Sequence, residues 1–305
     1  MMTKQKLFVS DFINNGIKGH QNYEFVDVAI NDDNRLFLDP ILIEFSTSTW
    51  CQSANKSIQS FFDKFYQAYS LHDKTQEREL LSHAREQNGT RFGYGKGNNG
   101  KGHTAEGLMQ TFNPLEGLIQ KIKSINRPVD LAILLPKFAE DGLSDLLTNI
   151  LHKNLNEYTT QQLRKYGIRP NSTTQFWYWE PSLLKWKIKS APSYTINNQE
   201  LLLVPKEIVR VRYLFSIRQY FTRIILTRYQ KQSYRNGMKK LSKQDILASL
   251  RSNTPNWIYE TVKKHTEKSP SFLAEYHIML PQFYRDRQMS SQELNSLLDT
   301  KIYGN

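Results

Sequence analysis

Asp27 and Asp39 are spaced so that their carboxylates could share a divalent cation. They lie in EFVDVAI and RLFLDP, which we predict to be two strands joined by a turn over residues 31–34. In the expected register Asp27 is opposite Asp39, and two facing carboxylates repel each other unless a cation lies between them. A register shifted by one residue, or neutralisation by Arg35 on the same face, would remove this site.

Glu140 and Asp145 form a second acidic group, in FAEDGLSD, where a predicted buried strand, DLAILLPKF, passes into a helix. Carboxylates there could hold Mg²⁺, which activates water for phosphodiester hydrolysis, and we expect both residues to be catalytic. The alternative is helix capping by Asp141 or Ser144. We predict four Mg²⁺ ligands in the chain: Asp27, Asp39, Glu140 and Asp145.

Lys206, in LLLVPKEIV, follows another predicted buried strand, and its ammonium group could stabilise charge that develops on a phosphate. Acidic residues followed by a lysine resemble the PD-(D/E)xK nuclease arrangement, which implies a catalytic role for Lys206. The chain departs from that pattern, because Glu200 is six residues before Lys206 and Glu180 lies in a different predicted strand. The alternative is a surface lysine.

Residues 89–107 contain 7 of the 14 glycines of the chain. The stretch from Gly95 to Lys101 matches the first part of a Walker A pattern, but position 102 is glycine and no buried strand leads into it, which excludes a P-loop. Closely spaced glycines still let backbone N–H groups approach phosphates, so we predict that Lys96 and Lys101 bind nucleic acid. The alternative is a flexible surface loop.

Arg78 and His83 resemble the short Arg–His motif of HEPN ribonucleases, and the alternative is a chance pair. The seven histidines show no metal-ligand spacing, and the single cysteine excludes an intrachain disulfide framework.

The charge is divided unevenly along the chain. Residues 1–150 carry 16 Lys and Arg against 18 Asp and Glu, whereas residues 151–305 carry 25 against 11. Between Lys206 and Lys243 the only acidic residue is Glu207, and we expect the aromatic residues there to stack on bases. The alternative is a core helix with snorkelling arginines. Six further residues are predicted to bind nucleic acid: Arg210, Arg218, Arg228, Lys231, Arg235 and Lys239.

The pattern of the whole chain predicts an α+β fold, with a mixed body of short strands and helices in residues 1–200 and a basic, mainly helical region in residues 201–305. FWYWE, LLKWKIK and ELLLV are predicted strands. We predict helices at 57–86, on both sides of Asn113-Pro114, from about 146 to 166 before Gly167, across 206–236, and in four short segments between 243 and 299.

The phrases RLFLDP, FAEDGLSDLLTNIL, NEYTTQQLRKYGI and LLLVPKEIV are similar to an uncharacterised bacterial protein family found in phage-defence and mobile-element neighbourhoods. The resemblance spans about residues 25–210 and implies a setting in antiviral defence without implying a mechanism.

The isoelectric point near 9.5 favours nucleic acid, DNA or RNA, as the partner. The absence of a signal peptide and of long apolar segments predicts a cytoplasmic protein without a membrane partner. Our hypothesis is a Mg²⁺-dependent nuclease or nuclease-like effector. The alternatives are a non-catalytic nucleic-acid-binding subunit of a larger complex and an adaptor that binds other protein subunits.

Overall fold

The computed structural model describes residues 6–84, 87–93, 104–136, 138–235 and 241–304, with side chains omitted for 233–235. It confirms the α+β prediction and the helical C-terminal region. Helices occupy fourteen segments of the described chain: α1 (Val9–Ile13), α2 (Pro40–Phe45), α3 (Thr49–Leu71), α4 (Lys74–Leu81), α5 (Ala105–Lys121), α6 (Pro128–Leu134), α7 (Glu140–Ile150), α8 (His152–Lys165), α9 (Ile217–Tyr220), α10 (Leu226–Arg235), α11 (Lys243–Leu250), α12 (Trp257–Lys268), α13 (Ser271–Asp286) and α14 (Ser291–Ile302).

Six short strands form three antiparallel pairs in the described residues. The strands are β1 (Phe37–Leu38), β2 (Ser172–Glu180), β3 (Lys185–Ser193), β4 (Thr195–Ile196), β5 (Gln199–Glu200) and β6 (Val209–Arg210). β2 pairs with β3, β4 pairs with β5, and β1 pairs with β6. β2 and β3 confirm the strands predicted at FWYWE and LLKWKIK, whereas of ELLLV only the first residue belongs to a strand.

The predicted hairpin between residues 25–30 and 36–38 does not form. Both segments pair instead with the extended chain at 204–210: Val26 N–H donates to the Val204 carbonyl (3.0 Å), and β1 pairs with β6. The turn over residues 31–34 is stabilised by hydrogen bonds between the Asn34 side chain and the backbone of Ala29 and of Arg91, rather than by pairing of the two segments. Asp27 is therefore not opposite Asp39, and the predicted register is wrong.

DLAILLPKF was predicted as a strand, but its first part is the buried helix α6. Pro128 occupies the first turn, and the Asp130 carboxylate accepts hydrogen bonds from the Asn126 and Arg127 N–H groups (3.0 and 2.8 Å). Proline and a side-chain acceptor at that position favour the start of a helix. A helix buried on all sides shows the same continuous apolar run as a buried strand, so periodicity alone misled the prediction.

Four helix predictions also need adjustment. Pro114 lies inside the continuous helix α5 rather than between two helices. The predicted 57–86 helix is α3 followed by α4, and the predicted helix from 146 to 166 is α7 followed by α8, with Gly167 in the left-handed region (φ +72°) beyond it. The predicted 206–236 helix begins only at Ile217, and its residues Phe221–Ile225 are a π-helical segment between α9 and α10. The four predicted C-terminal helices are confirmed as α11 to α14.

Buried side chains from Phe8 to Ile302 form one hydrophobic cluster, which includes residues on both sides of position 200. Whether residues 1–200 and 201–305 fold separately stays a prediction. Within the described chain, no helix is long and apolar enough to cross a membrane.

Candidate functional site

Asp39 lies where β1 ends, and it is fully buried. Its Oδ1 accepts a hydrogen bond from Ile41 N–H (2.9 Å) at the start of α2, and its Oδ2 accepts one from Leu214 N–H (2.8 Å). Burial raises the pKa of Asp39 from 3.8 to about 6, although these N–H groups and the Arg210 guanidinium oppose the shift. Both oxygens of this predicted ligand are therefore engaged by protein donors.

The first two turns of α7 contact β1 and Tyr213. Ser144 Oγ accepts a hydrogen bond from Leu38 N–H (3.1 Å), and the Tyr213 hydroxyl donates to the Glu140 carbonyl (2.9 Å). The residue at the N-cap position is Ala139, so capping by Asp141 or Ser144, the alternative interpretation, is not observed.

Gly93 adjoins this helix end. A Cβ built on it would lie 3.2 Å from Asp141 Oδ1, and its φ of +141° also favours glycine. The end of the described segment 87–93 therefore lies against α7.

Three of the four predicted metal ligands act electrostatically on one tyrosine. Burial raises the pKa of the Tyr213 hydroxyl well above its ordinary value, and the negative charges of Asp39, Glu140, Asp145 and Asp141 raise it further. We call these five residues the carboxylate junction. Among the described residues, no three His, Cys, Asp or Glu side chains are close enough together to hold a metal ion.

Asp27, the fourth predicted ligand, lies in a separate buried network that joins residues 10–27 to α14. Its Oδ1 accepts from Ser10 N–H (2.7 Å), and its Oδ2 accepts from the Tyr303 hydroxyl (2.7 Å). The Tyr303 hydroxyl also accepts from Gly19 N–H (3.2 Å). We call this network the C-terminal clamp, and it has five members: His20, Asp27, Lys206, Asp299 and Tyr303.

His20 is fully buried in the clamp and uses both ring nitrogens. Nδ1 lies 2.6 Å from Asp299 Oδ1, and Nε2 accepts from Asp27 N–H (3.1 Å). Because Nε2 is an acceptor, the ring proton of the neutral form is on Nδ1. Burial lowers the pKa of His20, and Asp299 opposes that shift. The two ring nitrogens together connect Asp27 to Asp299 on α14.

Lys206, predicted to assist the carboxylates, belongs to the clamp instead. Its Nζ donates to the His20 carbonyl (2.8 Å) and to Asn295 Oδ1 (2.7 Å), and burial lowers its pKa. Sequence reasoning missed this role because its bonding partners lie 89 and 186 positions away.

The predicted nucleic-acid-binding cations fall into three groups. Arg210 is only 7% exposed and lies beside Asp39, so its assignment to a binding surface is wrong. Arg218, Arg228 and Lys231 are exposed, and Arg228 pairs with Glu275. Lys96, Lys101, Lys239 and the side chain of Arg235 lie outside the described residues.

The aromatic residues expected to stack on bases are mostly core residues. Phe215 and Tyr220 are fully buried, and Tyr213 and Phe221 are 2% exposed. These four aromatic residues therefore belong to the core and are not placed to stack on bases. The exposed cations of the same stretch can still contact phosphates.

A group of cations on α12 was missed by the sequence analysis. Lys263, Lys264 and Lys268 are exposed, and α12 packs against α9 and the π-helical segment. Between them lies His265, whose Nε2 is 2.7 Å from the Tyr229 hydroxyl; burial lowers the pKa of this histidine, and the charges of Lys264 and Lys268 lower it further. The sequence VKKHTEK carries the signal, since three of its seven residues are lysine.

Arg78 and His83 make separate contacts. Arg78 forms an ion pair with Glu106, and the His83 ring stacks on Trp177 with centroids 3.9 Å apart.

Comparison with known proteins places the chain in one family. No curated protein and no solved structure matches it. The family described as a domain of unknown function, DUF8370, matches residues 16–216, which is more than half of the chain. That range includes the whole carboxylate junction but neither α14 nor the lysines of α12, and on this match the chain belongs to the DUF8370 family.

Proposed function

We propose that the protein binds nucleic acid, DNA or RNA, through exposed cations of residues 201–305. The observation that carries this proposal is the shortage of counter-charges: Arg212, Arg218 and Lys231 are exposed, and none makes an ion pair with a described carboxylate. The lysines of α12 add three more exposed cations on an adjacent helix. A surface that is only solvated would be expected to mix both signs.

Binding of this kind depends steeply on salt. Each cation that neutralises a phosphate releases counterions, so the logarithm of the affinity falls linearly with the logarithm of the salt concentration. The test compares the triple variant Arg212→Gln/Arg218→Gln/Lys231→Gln with a matched triple, Lys6→Gln/Lys74→Gln/Arg78→Gln, whose cations have carboxylate partners. We expect a shallower salt slope only in the first triple. Equal slopes in both variants and the wild type would exclude this surface.

A second candidate function is Mg²⁺-dependent phosphodiester cleavage at the carboxylate junction. The negative charges of Asp39, Glu140 and Asp145, which all act on the Tyr213 hydroxyl, support it. Mg²⁺ often uses only one or two carboxylates together with substrate phosphates, so a third protein ligand is not required.

The cleavage test measures cutting of labelled DNA and RNA with Mg²⁺ and with EDTA. Glu140→Gln and Asp145→Asn should abolish Mg²⁺-dependent cutting, whereas Asp63→Asn, an exposed aspartate on α3, should not. Binding without cutting would leave the protein as a non-catalytic subunit. The proposed setting is bacterial antiviral defence, and the same variants tested in a phage plaque assay would show whether that role depends on the junction.

A further inference from the structure

The outer edge of β3 presents backbone groups that no described strand pairs. β2 and β3 pair only with each other, in a regular register that sets Thr173 opposite Pro192 and Gln175 opposite Ser190. The Pro192 carbonyl accepts a hydrogen bond from Asn156 Nδ2 on α8 (3.1 Å), so it points away from β2. Successive residues of an antiparallel strand alternate in direction. The N–H and C=O groups of Ser190 and Ile188 therefore also point outward.

A groove of about 450 Å³ runs along this edge, between β3 and α8. Residues 189–192 form one wall, and polar side chains of α8 from Asn156 to Arg164 form the other. These α8 residues recur every three or four positions, as expected for one helix face. Among the hydrogen bonds of the described chain, none joins the outward backbone groups of Ser190 or Ile188 to α8.

The charge that lines the groove is positive on balance. Its cations are Lys189 on β3 and Arg164 on α8, and Arg164 is exposed. Glu157 is the acidic residue of the groove, and it already pairs with Lys189 Nζ (3.1 Å). A ligand that carries carboxylates matches this net positive charge better than a neutral or basic ligand does.

We propose that the groove binds an extended acidic peptide segment of a partner protein, which adds to the ribbon as a strand beside β3. An added strand supplies a donor and an acceptor at each outward residue, as in other strand-addition complexes. Nucleic acid fits this edge less well, because phosphates only accept hydrogen bonds and the outward carbonyls repel them. The proposal is independent of nucleic-acid binding, which involves residues beyond 211.

The test uses fluorescence anisotropy with a labelled peptide of alternating Glu and Val, about ten residues long to match ordinary strands. Ser190→Pro removes one outward N–H and leaves the pairing with β2 intact, so it should weaken binding by about tenfold. The matched control is Gln175→Pro, which removes the outward N–H at the opposite edge of the ribbon and should change the affinity by less than about twofold. Arg164→Glu, an exposed substitution on α8, should also weaken binding and serves if Ser190→Pro fails to fold.

The peptide itself supplies two further controls. Methylation of alternate backbone amides blocks strand pairing and should abolish binding, and replacement of every Glu by Lys should abolish it through charge. Wild-type affinity for the methylated peptide, unchanged affinity in both Ser190→Pro and Arg164→Glu, or no saturable binding below about 1 mM would overturn the proposal. Displacement of the peptide by a single-stranded oligonucleotide would assign the groove to nucleic acid instead.

Discussion

Asp39 and Asp27 are both fully buried, and each accepts a hydrogen bond from the backbone through Oδ1. Their surroundings differ in charge. Asp39 shares the carboxylate junction with Glu140, Asp141 and Asp145, and Arg210 is the cation that acts on it. Asp27 lies in the C-terminal clamp with Lys206 and His20, and its second oxygen accepts from a hydroxyl.

This difference assigns different roles to two residues that the sequence analysis treated alike. The Mg²⁺ hypothesis concerns the junction, where Asp39, Glu140 and Asp145 all act on the Tyr213 hydroxyl. The clamp already contains its own cation, and its bonds connect residues 10–27 to α14. We therefore assign a structural role to Asp27.

The largest effect is expected from Asp39→Ala, which tests whether the junction depends on its buried charge. The change leaves Ile41 and Leu214 N–H groups without an acceptor and Arg210 without a nearby counter-charge. Leaving a buried N–H group without an acceptor costs about 1–3 kcal/mol of unfolding free energy, and this change affects two of them. Urea denaturation measures this loss, with Asp63→Ala as the exposed control. A loss below about 1 kcal/mol would show that Asp39 does not hold this part of the fold together.

The pH dependence of stability should come next in size. Because the pKa of Asp39 rises from 3.8 to about 6 on folding, the folded state binds the proton more tightly. The stabilising contribution of the Asp39 carboxyl group to the unfolding free energy is then fully present below pH 3.8 and is lost as the pH rises through 6. At 1.36 kcal/mol per pKa unit the change is about 3 kcal/mol. The measured quantity is the unfolding free energy of the wild type minus that of Asp39→Asn. This difference should fall as the pH is raised from 4 to 7, and a constant difference would contradict the burial argument.

Tyr303→Phe tests the clamp with a smaller change. The substitution removes the hydroxyl that donates to Asp27 and accepts from Gly19 N–H. Leaving buried polar partners unsatisfied costs about 1–3 kcal/mol. Thermal unfolding measures the loss, and Tyr194→Phe, a partly exposed tyrosine elsewhere, is the control. Equal melting temperatures for the two variants would mean that the clamp adds little to stability.

The smallest effect is expected from His20, and its sign is opposite to that of Asp39. Since burial lowers the pKa of His20 below 6.5, the unfolded state binds the proton more tightly. The stabilising contribution of the neutral His20 ring to the unfolding free energy is present above pH 6.5 and is lost as the pH falls. The stability of the wild type relative to His20→Asn should therefore decrease below that pH. If the relative stability decreased as the pH rose above 6.5 instead, His20 would be a charged imidazolium in the folded state.

The amount that sequence predicts differs between elements. The strands β2 and β3 were predicted because their aromatic and β-branched residues form contiguous runs, and the four C-terminal helices were predicted because their pattern is also local. The junction was partly predicted, since Asp39, Glu140 and Asp145 each follow or begin a regular element. Arg210 was assigned wrongly because its burial depends on distant segments of the chain, and the contacts of Lys206 were missed because its partners lie far away in sequence.

The sequence by itself determined many of the local elements, the excess of positive charge after residue 150 and the identity of the residues able to do chemistry. Only the tertiary structure decided which segments pair, so that β1 meets β6 rather than residues 25–30. It also decided burial, which turned Arg210 and the aromatic residues beside it from an expected surface into core. The physical reason is that turns, caps and alternation are encoded by neighbouring residues, whereas strand pairing and desolvation depend on surfaces contributed by distant parts of the chain.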